Sequence, residues 1–149
     1  MAHYAKLGLD NIVTAVVAVD TIDCMTRGGI EREDIGLAHL VKHHGHELWK
    51  KCSYNTRGGV HSGGGTPFRA NYPGIGWYYN SEHDIFHPAS PYASYTLNTT
   101  TGMWEAPIAQ PELTDAQVEA GSYYRWDEDA YQADNTAGWV LETREQPAE

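Results

Sequence analysis

Apolar positions in the N-terminal part of the chain follow two periods in turn. Tyr4 to Leu7 reads as a short strand, and Gly8-Leu9-Asp10-Asn11 supplies turn chemistry. Ile12 to Val19 then predicts a long strand. Both of its faces are apolar, Ile12 and Val16 on one and Val13, Val17 and Val19 on the other. Such a strand is expected to be covered on both sides. The period then changes to that of a helix over residues 31 to 44. Leu37, Leu40, Val41 and His44 form one stripe at i, i+3, i+4 and i+7. Glu31, Glu33 and Asp34 at its start and Lys42, His43 and His44 at its end suit the helix dipole. Gly45 is a natural stop. The helix is expected to pack across the first hairpin and cover one face of the long strand.

His46 to Cys52 allows one more strand. Periodicity is then lost. Residues 53 to 76 contain Gly58, Gly59, Gly63, Gly64, Gly65, Gly74 and Gly76, too many for a regular element to be expected. Long loops of this kind are usually functional or disordered.

A repeat follows. Trp77 to Phe86 and Tyr95 to Trp104 each run from an aromatic, through a polar turn, to a second aromatic and a closing proline, Pro88 or Pro107. A looser copy runs from Tyr124-Arg125-Trp126 to Trp139-Val140-Leu141. These patterns predict three β-hairpins in which aromatics meet across the strands. Trp77, Tyr79, Phe86, Tyr95, Trp104, Trp126 and Trp139 are the expected structural aromatics. Between the second and third copies, Thr114 to Gly121 offers a short helical turn capped by Thr114. The expected fold is α+β and mainly β. Its parts are a hairpin–helix unit (1–52), a Gly-rich arm (53–76) and aromatic hairpins (77–149), either separate or in one continuous domain.

Composition fits a globular chain of 149 residues, with 41% hydrophobic and 20% charged. Tyr (10) and Trp (5) far outnumber Phe (2), which favours half-exposed faces over a deep core. The net charge is −10. From Pro111 onward ten acids face two bases, so that third of the chain holds −8 of it and is a poor partner for nucleic acid. No apolar run reaches the ~20 residues of a membrane span. Gly8, Asp10 and Asn11 interrupt the start of the chain, so export by a signal peptide is not expected. Cys24 and Cys52 form no CxxC pair. A disulfide stays open on sequence grounds, and free thiols in a cytoplasmic setting are the favoured reading.

Candidate chemistry is thin. His39 and His43 stand at a metal-ligand spacing, but no HExxH surrounds them, and a solvated histidine face is the plainer reading. Gly63-Gly64-Gly65-Thr66-Pro67 leads to neither a lysine nor a helix, so it is no phosphate loop. No GxSxG elbow is present, and Asp127 and Asp129 read as part of a hairpin turn. No catalytic, metal or cofactor residue is nominated. Trp77, Tyr79, Trp104, Trp126 and Trp139 have faces that suit sugars, though cross-strand pairing explains them as well. The Gly-rich segment also carries Tyr54, Arg57, His61, Phe68, Arg69 and Tyr72, residue types of interface anchors. With no acid between Ser53 and Tyr72, it reads as a cationic docking arm that orders on meeting an acidic neighbour or the acidic end of another copy, the rival reading being an Ω-like loop packed on its own domain.

Several stretches resemble small accessory virion proteins of marine and cyanobacterial tailed bacteriophages. They are Met1-Ala2-His3-Tyr4-Ala5-Lys6-Leu7 with Asp10-Asn11-Ile12-Val13-Thr14, then Cys52 to His61, Gly64 to Arg69, and Asn71-Tyr72-Pro73-Gly74-Ile75-Gly76-Trp77. The resemblance extends to the paired Trp hairpins, while the longer acidic third hairpin departs from the usual short ending. It implies a non-enzymatic structural protein of the virion, made in the host cytoplasm, decorating or cementing the head or tail. Its partners would be other virion proteins and copies of itself. The alternatives are a carbohydrate-binding module for host glycans at a fibre or spike, and a fibre-assembly helper.

Overall fold

The structure, a computed structural model, describes residues 1–46 and 48–145. The chain is α+β and mainly β, built from one three-stranded sheet and four small antiparallel hairpins. It divides into two compact units. The first holds Met1–Ala89 with Leu97–Met103, and the second Ser90–Thr96 with the described residues from Trp104 on. The expected boundaries after residues 52 and 76 fall inside the first unit.

Strand β1 (Ala2–Leu7) pairs with β2 (Val13–Val19) on one edge and β3 (Trp49–Cys52) on the other. β1 is therefore the central strand. The register shifts between Lys6 and Leu7, so that Lys6 faces Ala15 while Leu7 faces Val13. This bulge turns Val13 onto the same face as Leu7. Ala2 and Tyr4 pack with Val19, Cys24, Leu40 and Trp49 on one side. Ala5 and Leu7 pack with Val13, Cys52, Tyr79 and Phe86 on the other. Cys24 and Cys52 are free, buried thiols on opposite faces of the sheet.

Helix α1 spans Glu33–His44 and ends at Gly45, which is left-handed with φ 67°. It starts later than expected because Met25 and Glu31 form an antiparallel bridge and the Arg32 amide donates to the Cys24 carbonyl. Its buried face also differs from the expected stripe. Gly36 and Leu40 are buried, while Val41 is 36% exposed. A Cβ at residue 36 would lie 2.0 Å from the Tyr4 hydroxyl, so the glycine sets how closely the helix lies on the sheet.

The Gly-rich segment does hold regular structure, contrary to expectation. β4 (Thr56–Arg57) and β5 (Val60–His61) pair across Gly58 and Gly59, both with positive φ. Two positive-φ residues are what a tight hairpin with the right twist requires. The aromatic repeats follow. β6 (Tyr78–Asn80) and β7 (Ile85–His87) form the first, and β8 (Thr96–Asn98) and β9 (Met103–Glu105) the second. In the first, Tyr79 rather than Trp77 meets Phe86 across the strands, with centroids 5.4 Å apart. Helix α2 (Asp115–Glu119) carries a complete capping box between Thr114 and Gln117.

β10 (Ser122–Trp126) and β11 (Trp139–Thr143) make the third repeat, and Trp126 faces Trp139 directly at 5.1 Å. Their connection is not the simple turn expected. It contains α3 (Glu128–Ala133), capped by the Asp127 carboxylate on the Ala130 amide. Trp126 is buried and also meets Tyr95 and Tyr131. Its indole N–H donates to Glu128, which accepts from Ser94 and Gln132 as well.

Candidate functional site

The candidate site is built on the Gly-rich segment, and what makes it a site is that the segment is fastened down. Asn71 is fully buried. Its side-chain NH2 donates to the carbonyls of Phe86, Thr101 and Gly102, and its oxygen accepts from the Gly58 amide. Thr56 is buried too and accepts from the Phe68 amide. Arg69 and Ala70 are left-handed, with φ 51° and 64°. That conformation is unfavourable for residues with a Cβ. It is offset here by bonds from the Phe86 and Asn71 amides to the Arg69 carbonyl.

Arg69 itself is only 10% exposed and is wholly engaged inside the first unit. It donates to Glu33, Asp84 and the Lys51 carbonyl, and its guanidinium lies over the Phe68 and Tyr79 rings. The segment is therefore the packed loop of the rival reading and not the mobile cationic arm. Arg69 leaves the strip, neutralised by Glu33 and Asp84, and the His61 ring is held by the Gly63 and Gly65 amides, which donate to Nδ1.

The remaining side chains gather at two adjoining hollows. The first, of about 250 Å³, is lined by His3, Lys51, Tyr54, Asn55, His61 and Phe68 among others. The second, of about 340 Å³, is lined by Tyr54, Thr56, Arg57, Tyr72 and Trp77. Tyr54 is the shared wall. Of the six anchors expected from the sequence, five line one hollow or the other, and Arg69 lies beneath them. Tyr54 is 63% exposed and Tyr72 36%. The His3 ring props both, 5.2 Å from Tyr54 and edge-on to Tyr72 at 5.7 Å.

The charges around the hollows differ. Burial, helped by the nearby N-terminal charge, holds His3 below its ordinary pKa and so keeps it neutral at pH 7. Lys51 is paired with Glu31 at 2.7 Å. Burial, with Cys52 adding to it, pushes the Tyr72 phenol up. Among the described residues Arg57 has no ion pair, and it is exposed. The second hollow thus presents three aromatic rings, two of them phenols, one threonine and one unneutralised guanidinium. Its chemistry is stacking and charge-assisted hydrogen bonding.

The expected structural aromatics divide by burial. Tyr79, Phe86 and Trp126 are buried, while Trp77, Tyr95, Trp104 and Trp139 are half-buried. His39 and His43 lie 4.4 Å apart, with Asp23 Oδ1 3.9 Å from His39. Among the described residues, no three His, Cys, Asp or Glu side chains converge as metal ligands do. His3, Asn71 and Glu33 were missed as contributors to the site. His3 lies just outside the strand expected from Tyr4, at the second position of β1 (Ala2–Leu7).

No family model, curated protein or solved structure matches this chain. No described helix is long and apolar enough to cross a membrane.

Proposed function

We propose that the chain is a non-enzymatic virion structural protein of a tailed phage, held in the particle by protein–protein contacts. The resemblance of its opening and its Gly-rich segment supports the particle. The observation that carries the contact reading is an apolar end of the three-stranded sheet. Leu9 is 89% exposed, Ile75 75% and Leu48 53%. Backbone bonds bring them to the same end. The Leu7 amide donates to the Leu48 carbonyl, Gly8 to Ile12, and Gly76 to Val13. A single exposed aliphatic residue is ordinary, but several at one end mark a contact surface. A neighbouring virion protein or a second copy would cover them. The net charge of −10 disfavours nucleic acid as the partner.

Mass spectrometry of purified particles tests the reading. The parent chain should be present at a fixed copy number. A Leu9→Asp, Ile75→Asp double variant should melt like the parent, since both side chains are exposed, yet be depleted from particles. A chain never found in particles, or a variant incorporated normally, contradicts the reading. The glycan-binding alternative is favoured by one observation of its own, the aromatic walls of the second hollow.

A further inference from the structure

We propose that the hollow walled by Tyr54, Arg57, Tyr72 and Trp77 binds a carboxylated saccharide ring. The proposal uses different side chains from the apolar sheet end and stands or falls separately.

Trp77 packs partly on the core, but core filling does not explain the two tyrosines. Tyr79 and Phe86 fill the core beneath them and are 8% and 0% exposed, whereas Tyr54 and Tyr72 keep 63% and 36% of their surface in water. Nor do the rings hang loose. His3 packs against both tyrosines, and Gly74 lies against the Trp77 indole so closely that a Cβ there would be 3.3 Å from Nε1. The walls are held in place before any ligand arrives, which lowers the ordering cost of binding.

The wall chemistry narrows the occupant. An aromatic cage ordinarily attracts a cation, but Arg57 in the wall opposes one. A bare inorganic anion would use Arg57 and leave the two exposed tyrosine rings without a role. An aliphatic side chain would lie against Thr56 and the guanidinium, both polar. A sugar ring answers all of the walls. Its C–H face carries slight positive charge and suits the electron-rich ring faces. A carboxylate on the ring pairs with the two-pronged Arg57 guanidinium, which no acid neutralises among the described residues. The adjoining hollow beyond Tyr54, with Asn55 and the paired Lys51 and Glu31 in its walls, gives a second linked ring somewhere to go.

Calorimetric titration of the full chain with trigalacturonate, and with cellotriose as a neutral trimer, tests the proposal. Trigalacturonate should bind saturably, with an affinity that falls as salt rises. Cellotriose should bind about tenfold more weakly or worse, and Tyr54→Ala and Arg57→Ala should each cost about tenfold or more in trigalacturonate affinity. Both variants should keep the parent melting temperature, because both side chains are exposed. Arg57→Lys should restore only part of the affinity, having charge without the fork. The Leu9→Asp, Ile75→Asp variant should bind like the parent. The proposal is overturned by absent saturable binding, by equal affinity for the neutral trimer, or by an unaffected Tyr54→Ala variant. A Tyr54→Ala chain that still binds trigalacturonate but is lost from particles would mean that the hollow takes a protein neighbour instead.

Discussion

Arg69 donates to both carboxylate oxygens of Glu33, at 2.7 and 3.2 Å. One residue opens α1 and the other lies in the Gly-rich loop. The same guanidinium bonds the Lys51 carbonyl on β3 and Asp84 in the first aromatic hairpin. Three elements and the loop therefore meet at one side chain. Replacing it by methionine keeps much of the stem but leaves Glu33, at 28% exposure, with no cation beside it and only the Lys51 amide as a donor. Breaking a fully buried pair in this way costs about 3–5 kcal/mol, and the partial exposure of Glu33 reduces that to about 2–3 kcal/mol for Arg69→Met. Urea denaturation measures the loss. A change below about 0.5 kcal/mol would place Arg69 among ordinary surface residues.

Asp84 gives the first unit an acid-sensitive joint. Burial works against its charge, but hydrogen bonds from Tyr79 and Arg69 outweigh it and hold its pKa below the ordinary carboxylate value. A carboxylate depressed in the folded state contributes stability that is complete above its unfolded pKa and is lost as pH falls through its folded one. The urea midpoint should therefore hold steady from neutral pH to about pH 4 and drop below it. The drop should be shallower in Asp84→Asn, whose side chain does not titrate. An identical pH profile in the variant would mean that the joint contributes nothing.

Cys52 should be chemically silent while the chain is folded. Burial pushes its thiol up to about 12; Arg69 opposes the shift and Glu33 adds to it. Very little thiolate is then present at about pH 8, and the thiolate is the reactive form. Iodoacetamide should label Cys52 only once urea unfolds the first unit, with the adduct located by peptide mass. Rapid labelling of the native chain would contradict the burial.

Much of the fold was legible because local chemistry and period agreed. Gly45 ends α1, Thr114 caps α2, and the Trp126–Trp139 pair aligns the third hairpin. What could not be read was set by distant partners. Arg69 meets Glu33 across 36 positions, and Asn71 meets Gly102 across 31. No periodicity links such residues, and polar groups among glycines look solvated until their partners are known. Helix α3 was hidden for a different reason. Asp127-Glu128-Asp129 has the composition of a turn, and six helical residues are too few to show a period. The candidate site was half legible. Residue types picked out Tyr54, Arg57, Tyr72 and their neighbours, whereas which of the bases are neutralised depends on Glu31, Glu33 and Asp84.

Trp126 anchors the second unit. Trp126 is 4% exposed and touches the rings of Tyr95, Tyr131 and Trp139. Gly138 is fitted against it, since a Cβ there would lie 2.5 Å from the indole ring. Trp126→Ala should cost about 3–5 kcal/mol, the usual range for deleting a buried large aromatic. Trp104 is half-buried, so Trp104→Ala should cost distinctly less, about 1–2 kcal/mol. Denaturation followed by amide exchange at Tyr124 and Val140 gives both values. Equal costs would mean that burial does not rank the two residues.

Deletion of residues 57 to 69 bears on the largest correction, that the Gly-rich segment is a packed loop and no free arm. A free arm would be dispensable for folding. The structure predicts the opposite. The deletion removes Arg69, and with it the clamp on Glu33, Asp84 and the Lys51 carbonyl. It also removes Gly58, whose amide satisfies the Asn71 oxygen, and Phe68, whose amide satisfies Thr56. Asn71 and Thr56 are 0% and 1% exposed, so each would be buried with an unmet hydrogen bond, at about 1–3 kcal/mol apiece. Added to the lost clamp, this is a large part of the ~5–15 kcal/mol that holds a domain folded. The deleted chain should lose cooperative melting of its first unit and exchange the amides of β1 rapidly. A point variant separates this from a simple loss of chain length. Asn71→Ala keeps every residue of the loop and should raise exchange at the Gly58 amide while α1 stays protected. A deleted chain that melts cooperatively near the parent temperature would restore the free-arm reading.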